Sequence, residues 1–128
     1  MHYARANTFA QKACDMGRMS RQKGKRGERE AAAELGALLG CGARRGVQYH
    51  GGPDSPDVVL DGVKIHVECK RTEAINVYKA LEQAKNDAHP SHVPVVWHRR
   101  NDRESVLIVQ TSDLVALANA VIAAKGMQ

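Results

Sequence analysis

Asp57, Glu68 and Lys70 are the residues of this chain whose types and spacing point most directly to chemistry. They belong to the segments Pro56-Asp57 and Glu68-Cys69-Lys70, and between them lies Asp61-Gly62, the pair favoured by a two-residue hairpin turn of primed type, with positive φ at both central positions. Counting back from that turn pairs Leu60 with Val63, Val59 with Lys64, Val58 with Ile65 and Asp57 with His66. Alternation along the strands then sets Val58, Leu60, Val63, Ile65, Val67 and Cys69 on a core face, and Asp57, His66, Glu68 and Lys70 on the other. Two acids held close repel each other and lose solvation unless a cation neutralises them. Oxygen ligands of this kind suit Mg²⁺, with Mn²⁺ as a substitute.

Positioning such a patch takes a compact domain, and 128 residues are enough for one with a core and too few for two. Residues 1–23 are basic and show no clear period, so a flexible arm or a short helix is expected there, ahead of a single domain over 24–128. From about Lys25 to Leu39, Ala31, Ala32, Leu35, Leu38 and Leu39 recur at helical spacing, and Gly40 and Gly42 end the pattern. A strand over Ala43 to Tyr49 and a loop from His50 to Ser55 lead into the hairpin. A second helix is expected from about Asn76 to Ala88, closed by His89-Pro90. Val93 to Trp97 and Val106 to Val109 read as a second hairpin around Arg99 to Glu104. Thr111 or Ser112 then caps a last helix whose Leu114, Leu117, Ala118, Val121 and Ile122 would cover the sheet. The order α-β-β-β-α-β-β-α predicts an α/β fold: a mixed five-stranded sheet flanked by helices.

Charge narrows the partner. The net charge is +5, and Arg18, Arg21, Lys23, Lys25, Arg26 and Arg29 crowd the N-terminal third. Beside a carboxylate patch this points to a phosphodiester substrate, whose backbone such cations would hold. Arg44 and Arg45, before the loop, either grip phosphates or are exposed strand arginines. One Phe and sparse aromatics favour duplex backbone and shape over stacking on unpaired bases. No apolar run reaches the roughly 20 residues of a membrane helix, and no signal-peptide block precedes the basic stretch. Cys14, Cys41 and Cys69 lack Cys-x-x-Cys spacing, so an intracellular, cytoplasmic protein with reduced thiols is expected.

Glu28 lies three, four and seven residues before Ala31, Ala32 and Leu35, on the apolar stripe of the first helix, whereas Glu30 and Glu34 point elsewhere. It either complements the helix dipole or faces the sheet and joins Asp57 and Glu68, directly or through water. A second Pro-Asp, Pro53-Asp54, competes for the motif. The hairpin register sets Asp54 on the apolar side, so Asp57 is preferred and Asp54 is the alternative.

Pro-Asp on one strand, Glu-x-Lys on the next and a Glu in a preceding basic helix resemble the PD-(D/E)XK nuclease superfamily. The opening Lys23-Gly24-Lys25-Arg26-Gly27-Glu28-Arg29-Glu30 and the ending Pro94-Val95-Val96-Trp97-His98-Arg99-Arg100 are similar to archaeal-type and phage Holliday junction resolvases. The resemblance implies a restriction-endonuclease-like core in which Asp57 and Glu68 bind Mg²⁺, the Cys69 carbonyl assists, Glu28 completes the site and Lys70 orients or activates water. It also places Gln83 with the site, and implies a homodimer, since resolution requires two symmetric cuts. His50-Gly51 stands where archaeal resolvases carry Ser-Gly. His50 is grouped with the DNA-contacting residues, its role open like that of His66.

The expected activity is a metal-dependent, structure-selective DNA endonuclease of branched DNA, a Holliday junction resolvase of phage type. The alternatives are a restriction-like, nicking or repair endonuclease of the same superfamily, or a basic DNA-binding module without catalysis.

Overall fold

The computed structural model describes residues 9–46 and 56–126. The elements run α1 (Phe9–Leu39), β1 (Ala43–Arg45), β2 (Val58–Leu60), β3 (Ile65–Arg71), α2 (Val77–Asp87), β4 (Val93–Arg99), β5 (Val106–Val109), a short 3₁₀ turn (Thr111–Asp113) and α3 (Leu114–Ala124). The five strands form one mixed sheet in the order β1-β2-β3-β4-β5, with β3 and β4 parallel and the other pairs antiparallel. A parallel pair needs a crossover, and α2 supplies it, which puts α2 on one face of the sheet. The α/β class, the element order and the strand count follow the sequence pattern.

The two faces are unlike. On one, Ala31, Ala32, Leu35 and Leu39 of α1 pack with Val58, Leu60, Ile65, Val67, Val95 and Trp97, and Leu117, Ala120, Val121 and Ala124 of α3 join at the side. Gly27 lets α1 approach closely: a Cβ there would lie 2.5 Å from Arg71 Cβ. On the other face the apolar contact is small, Ala80 and Ala84 of α2 against Val96, with Ile75, Leu81 and Ile108 around them. Short alanine side chains seat α2 on the sheet while leaving room for the long polar side chains of β3.

Four sequence expectations change. Helix α1 begins at Phe9, not near Lys25, and takes in most of the stretch read as an arm or short helix. The first strand is described only over Ala43–Arg45, and residues 47–49 of the expected strand lie outside the described residues. The β2–β3 register slips by two residues, since Val58 pairs with Val67 and not Ile65. The tight turn does form, with Val63 N–H on Leu60 C=O at 3.2 Å. Only Gly62 of its two central residues has positive φ, however, at 73°, which is the type II pattern and not the primed turn that Asp-Gly suggested. Val63 is buried in the core and Lys64 C=O accepts from Val93 N–H, so both belong to the connection and pairing resumes beyond it. A slip of two leaves every side chain on its expected face. It also changes the neighbours: one step beyond Val58 and Val67, Asp57 stands beside Glu68 and not His66.

Candidate active site

Asp57 enters the site held by its backbone and its side chain. Its N–H donates to Val67 C=O at 3.0 Å, its C=O accepts from Gly46 N–H at 2.8 Å, and its Oδ2 accepts from Cys69 N–H at 2.9 Å. Gly46 is required at that crossing, because a Cβ there would run into the Pro56 carbonyl. Glu68 lies in the middle of β3, 3% exposed, and its carboxyl interacts with that of Asp57. Burial, then the Asp57 charge, pushes Glu68 up to about 8, and burial likewise raises Asp57. Two carboxyls so placed hold a proton at neutral pH unless a cation takes its place.

Lys70 follows on the same face of β3, and its Nζ donates to Gln83 Oε1 of α2 at 3.0 Å. Helix α2 is set by Asn76, whose side chain caps it by accepting from Lys79 N–H at 3.1 Å. The cleft beside Lys70, about 260 Å³, is lined by Thr72, Asn76, Lys79 and Gln83 among others. Asp57, Glu68, Lys70 and Gln83 are therefore gathered by three elements at one end of the sheet.

The remaining expected residues are placed differently. Glu28 raises Asp57 through its charge, but its Oε2 is bound by Arg45 Nε at 2.8 Å, both half-buried. Arg45 is thereby an internal partner of an acid, while Arg44 pairs with Asp61 at 2.7 Å on the surface. Cys69 supplies its N–H to Asp57, and its thiol, raised to about 12 chiefly by burial, stays protonated. Arg21, Lys25, Arg26 and Arg29 are exposed on α1, and Lys23 is half-buried. His66 is buried in β3 at 3% exposure. His50 and Asp54 lie outside the described residues. Among the described residues no group of three or more His, Cys, Asp and Glu side chains converges to hold a metal ion.

Sequence reasoning missed the use of Glu30 and Glu34, both read as pointing away from the sheet. Glu30 Oε2 lies 2.8 Å from Arg99 Nη1 and 3.4 Å from Arg71 Nε. Glu34 Oε1 accepts from the Trp97 indole at 2.8 Å and from the Ser105 hydroxyl. The available signal was Arg71, set by alternation on the core-facing side of β3, and Trp97 in the apolar run of β4, since a buried guanidinium or indole N–H requires an acceptor. No protein family, curated protein or solved structure matches this chain.

Proposed function

We propose that the protein is a metal-dependent DNA endonuclease with a restriction-endonuclease-like core, acting on branched duplex DNA as a homodimer. The observation that carries this reading is the buried Asp57–Glu68 pair with Lys70 beside it, Lys70 itself held by Gln83 at 3.0 Å. Adjacent acids raised toward neutrality cost stability, and an acidic site inside a chain of net charge +5 works against anion binding unless it has a task.

The residues fit a hard divalent ion: two carboxylates, one fixed by the Cys69 N–H, are oxygen donors whose mutual repulsion a Mg²⁺ would relieve. As only these two acids converge among the described residues, solvent and phosphate oxygens would fill the rest of its shell. Such an ion supplies Lewis-acid charge to a phosphodiester when bound. Hydrolysis adds the oxygen of water to phosphorus and breaks one P–O bond, so negative charge grows on the phosphoryl and leaving oxygens. Lys70, restrained by Gln83, offers a positive charge where that growth occurs. Exposed Arg18, Arg21, Lys25 and Arg29 of α1 supply backbone contacts whose affinity falls with salt.

The test is cleavage of a synthetic four-way junction and of its matched linear duplex, with Mg²⁺ or EDTA. Mg²⁺-dependent incision near the branch point, lost in Glu68→Gln and Lys70→Ala, is the expected result. Variants that cut as fast as the parent would overturn the assignment, and equal cutting of linear duplex would remove the branched substrate while keeping the nuclease.

A further inference from the structure

The cleft beside Lys70 carries charge that the proposed reaction does not use. Besides Lys70 it is lined by a second lysine, Lys79, and by Thr72, Asn76 and Gln83, and no acid belongs to its walls. Two acids stand close by in the sequence, and both are engaged elsewhere. Glu73 Oε1 accepts from Asn101 N–H at 3.0 Å. Glu82, three residues after Lys79 and so at ion-pair spacing on the helix, lines the groove on the other flank of α2 together with Lys85. Among the described residues no ion pair reaches Lys79. Lys70 gives one of its three N–H donors to Gln83 and keeps two. A concave surface with two cations and no counter-charge is what an anion requires.

The walls are fixed before any ligand arrives. His98, 6% exposed on β4 and in register with Lys70, donates from Nε2 to Thr72 C=O at 2.9 Å. Thr72 Oγ1 donates to Ala74 C=O at 2.7 Å, and Asn76 Oδ1 holds Lys79 N–H. Ala80, buried, and Ile75, half-buried, add an apolar floor suited to a sugar ring. At about 260 Å³ the cleft is smaller than the roughly 300–1,000 Å³ of pockets that enclose whole small molecules. It suits one phosphate with its sugar. Glu68 and Lys70 stand two residues apart on one face of β3, about 7 Å, so an anion in the cleft and one at the acid pair are neighbours along a single phosphodiester backbone.

We propose that this cleft seats the backbone phosphate next to the one at the Asp57–Glu68 pair, with Lys79 as its principal cation and Thr72 and Asn76 at its sides. The adjacency to the cut rests on the nuclease reading, whereas the phosphate site is read by binding alone. Binding of a labelled four-way junction and of its matched duplex in EDTA should be about fivefold to tenfold weaker in Lys79→Ala, with the slope of log affinity against log salt smaller by about one. Lys79→Arg should keep the parent's slope, and Lys85→Ala, across α2, should stay within about twofold of the parent. Single methylphosphonate replacements, each removing one phosphate charge, locate the contact. One position should weaken the parent and have no further effect on Lys79→Ala, and it should adjoin the phosphate cut in Mg²⁺. Unchanged affinity and slope in Lys79→Ala, an equal loss in Lys85→Ala, or no replacement that couples to Lys79 would each overturn the site. A coupled position far from the cut would overturn the adjacency. A parent that shows the Lys79-dependent slope and never cuts would overturn the nuclease reading and leave the phosphate site standing.

Discussion

Acids lie on both sides of strand β3, Glu30 from α1 on one and its own Glu68 on the other, and they are treated in opposite ways. On the α1 side, Glu30 lies against the guanidiniums of Arg71 and Arg99, at 3.4 and 2.8 Å, and Arg71 Nη1 also reaches Asn101 Oδ1 at 3.0 Å. On the α2 side, Glu68 has another carboxyl as its neighbour and is pushed up to about 8. The first arrangement pairs opposite charges, although Arg71 Nε makes no hydrogen bond within it, and fastens α1 to the ends of β3 and β4. The second is unbalanced, and the imbalance is what an added cation would relieve. An acid matched by arginine ties elements of this fold together, whereas an acid held beside another acid is the arrangement that the proposed function would use.

The contrast is broken most directly by neutralising each acid in turn. Glu68→Gln should lower Mg²⁺-dependent cleavage by at least about 10³-fold, while Glu30→Gln, assayed where it is folded, should stay within about threefold of the parent. Single-turnover rates on the preferred substrate measure both, and equal losses would erase the distinction.

Stability against pH sharpens it next. The Glu68 carboxyl keeps its proton in the fold up to about 8, while the unfolded chain releases it near 4.5. Over that window the unfolded state binds fewer protons, so stability should fall as pH rises, by up to about 1.4 kcal/mol per pH unit, and level off above it. Urea unfolding in EDTA from pH 5 to 9 should show the decline, Glu68→Gln should flatten it, and Glu30→Gln should keep it. Millimolar Mg²⁺ should raise the melting temperature at pH 8.5 in the parent and not in Glu68→Gln. A flat parent profile would mean that the pair is not strained.

Smaller effects follow. Glu30→Ala strands the half-buried Arg71 guanidinium and should cost about 1–3 kcal/mol in urea unfolding, with no change in the response to Mg²⁺. Gln83→Ala frees an exposed hydrogen bond, so stability should shift by less than about 0.5 kcal/mol. Cleavage should fall by about threefold to tenfold as Lys70 loses its restraint.

Legibility in the sequence followed period and turn chemistry. Strict alternation around Asp61-Gly62 placed Asp57, Glu68 and Lys70 on one face, and that assignment survives the two-residue slip because a strand repeats every two residues. The register itself depended on whether Val63 would enter the core, a tertiary choice that the dipeptide does not encode. Residues 9–24 lack a hydrophobic stripe, so periodicity had no means of extending α1 back to Phe9. Helix propensity and continuity with a docked segment suffice there. The last helix misled differently, since Leu114 and Ile122 read as core by type and are exposed in the fold.

The parallel joining of β3 to β4 has a consequence for how the molecule assembles. Asp57 and Glu68 are brought together by a short, local reversal of the chain, whereas Lys70 meets Gln83 only once the whole α2 excursion has docked and β4 has returned alongside. Local contacts form ahead of distant ones. The nascent pocket therefore passes through a stage in which the repelling pair is present and its cationic neighbour is still loose. Acidic conditions, which discharge that pair, should shorten the refolding time of the parent chain more than that of Glu68→Gln in stopped-flow experiments.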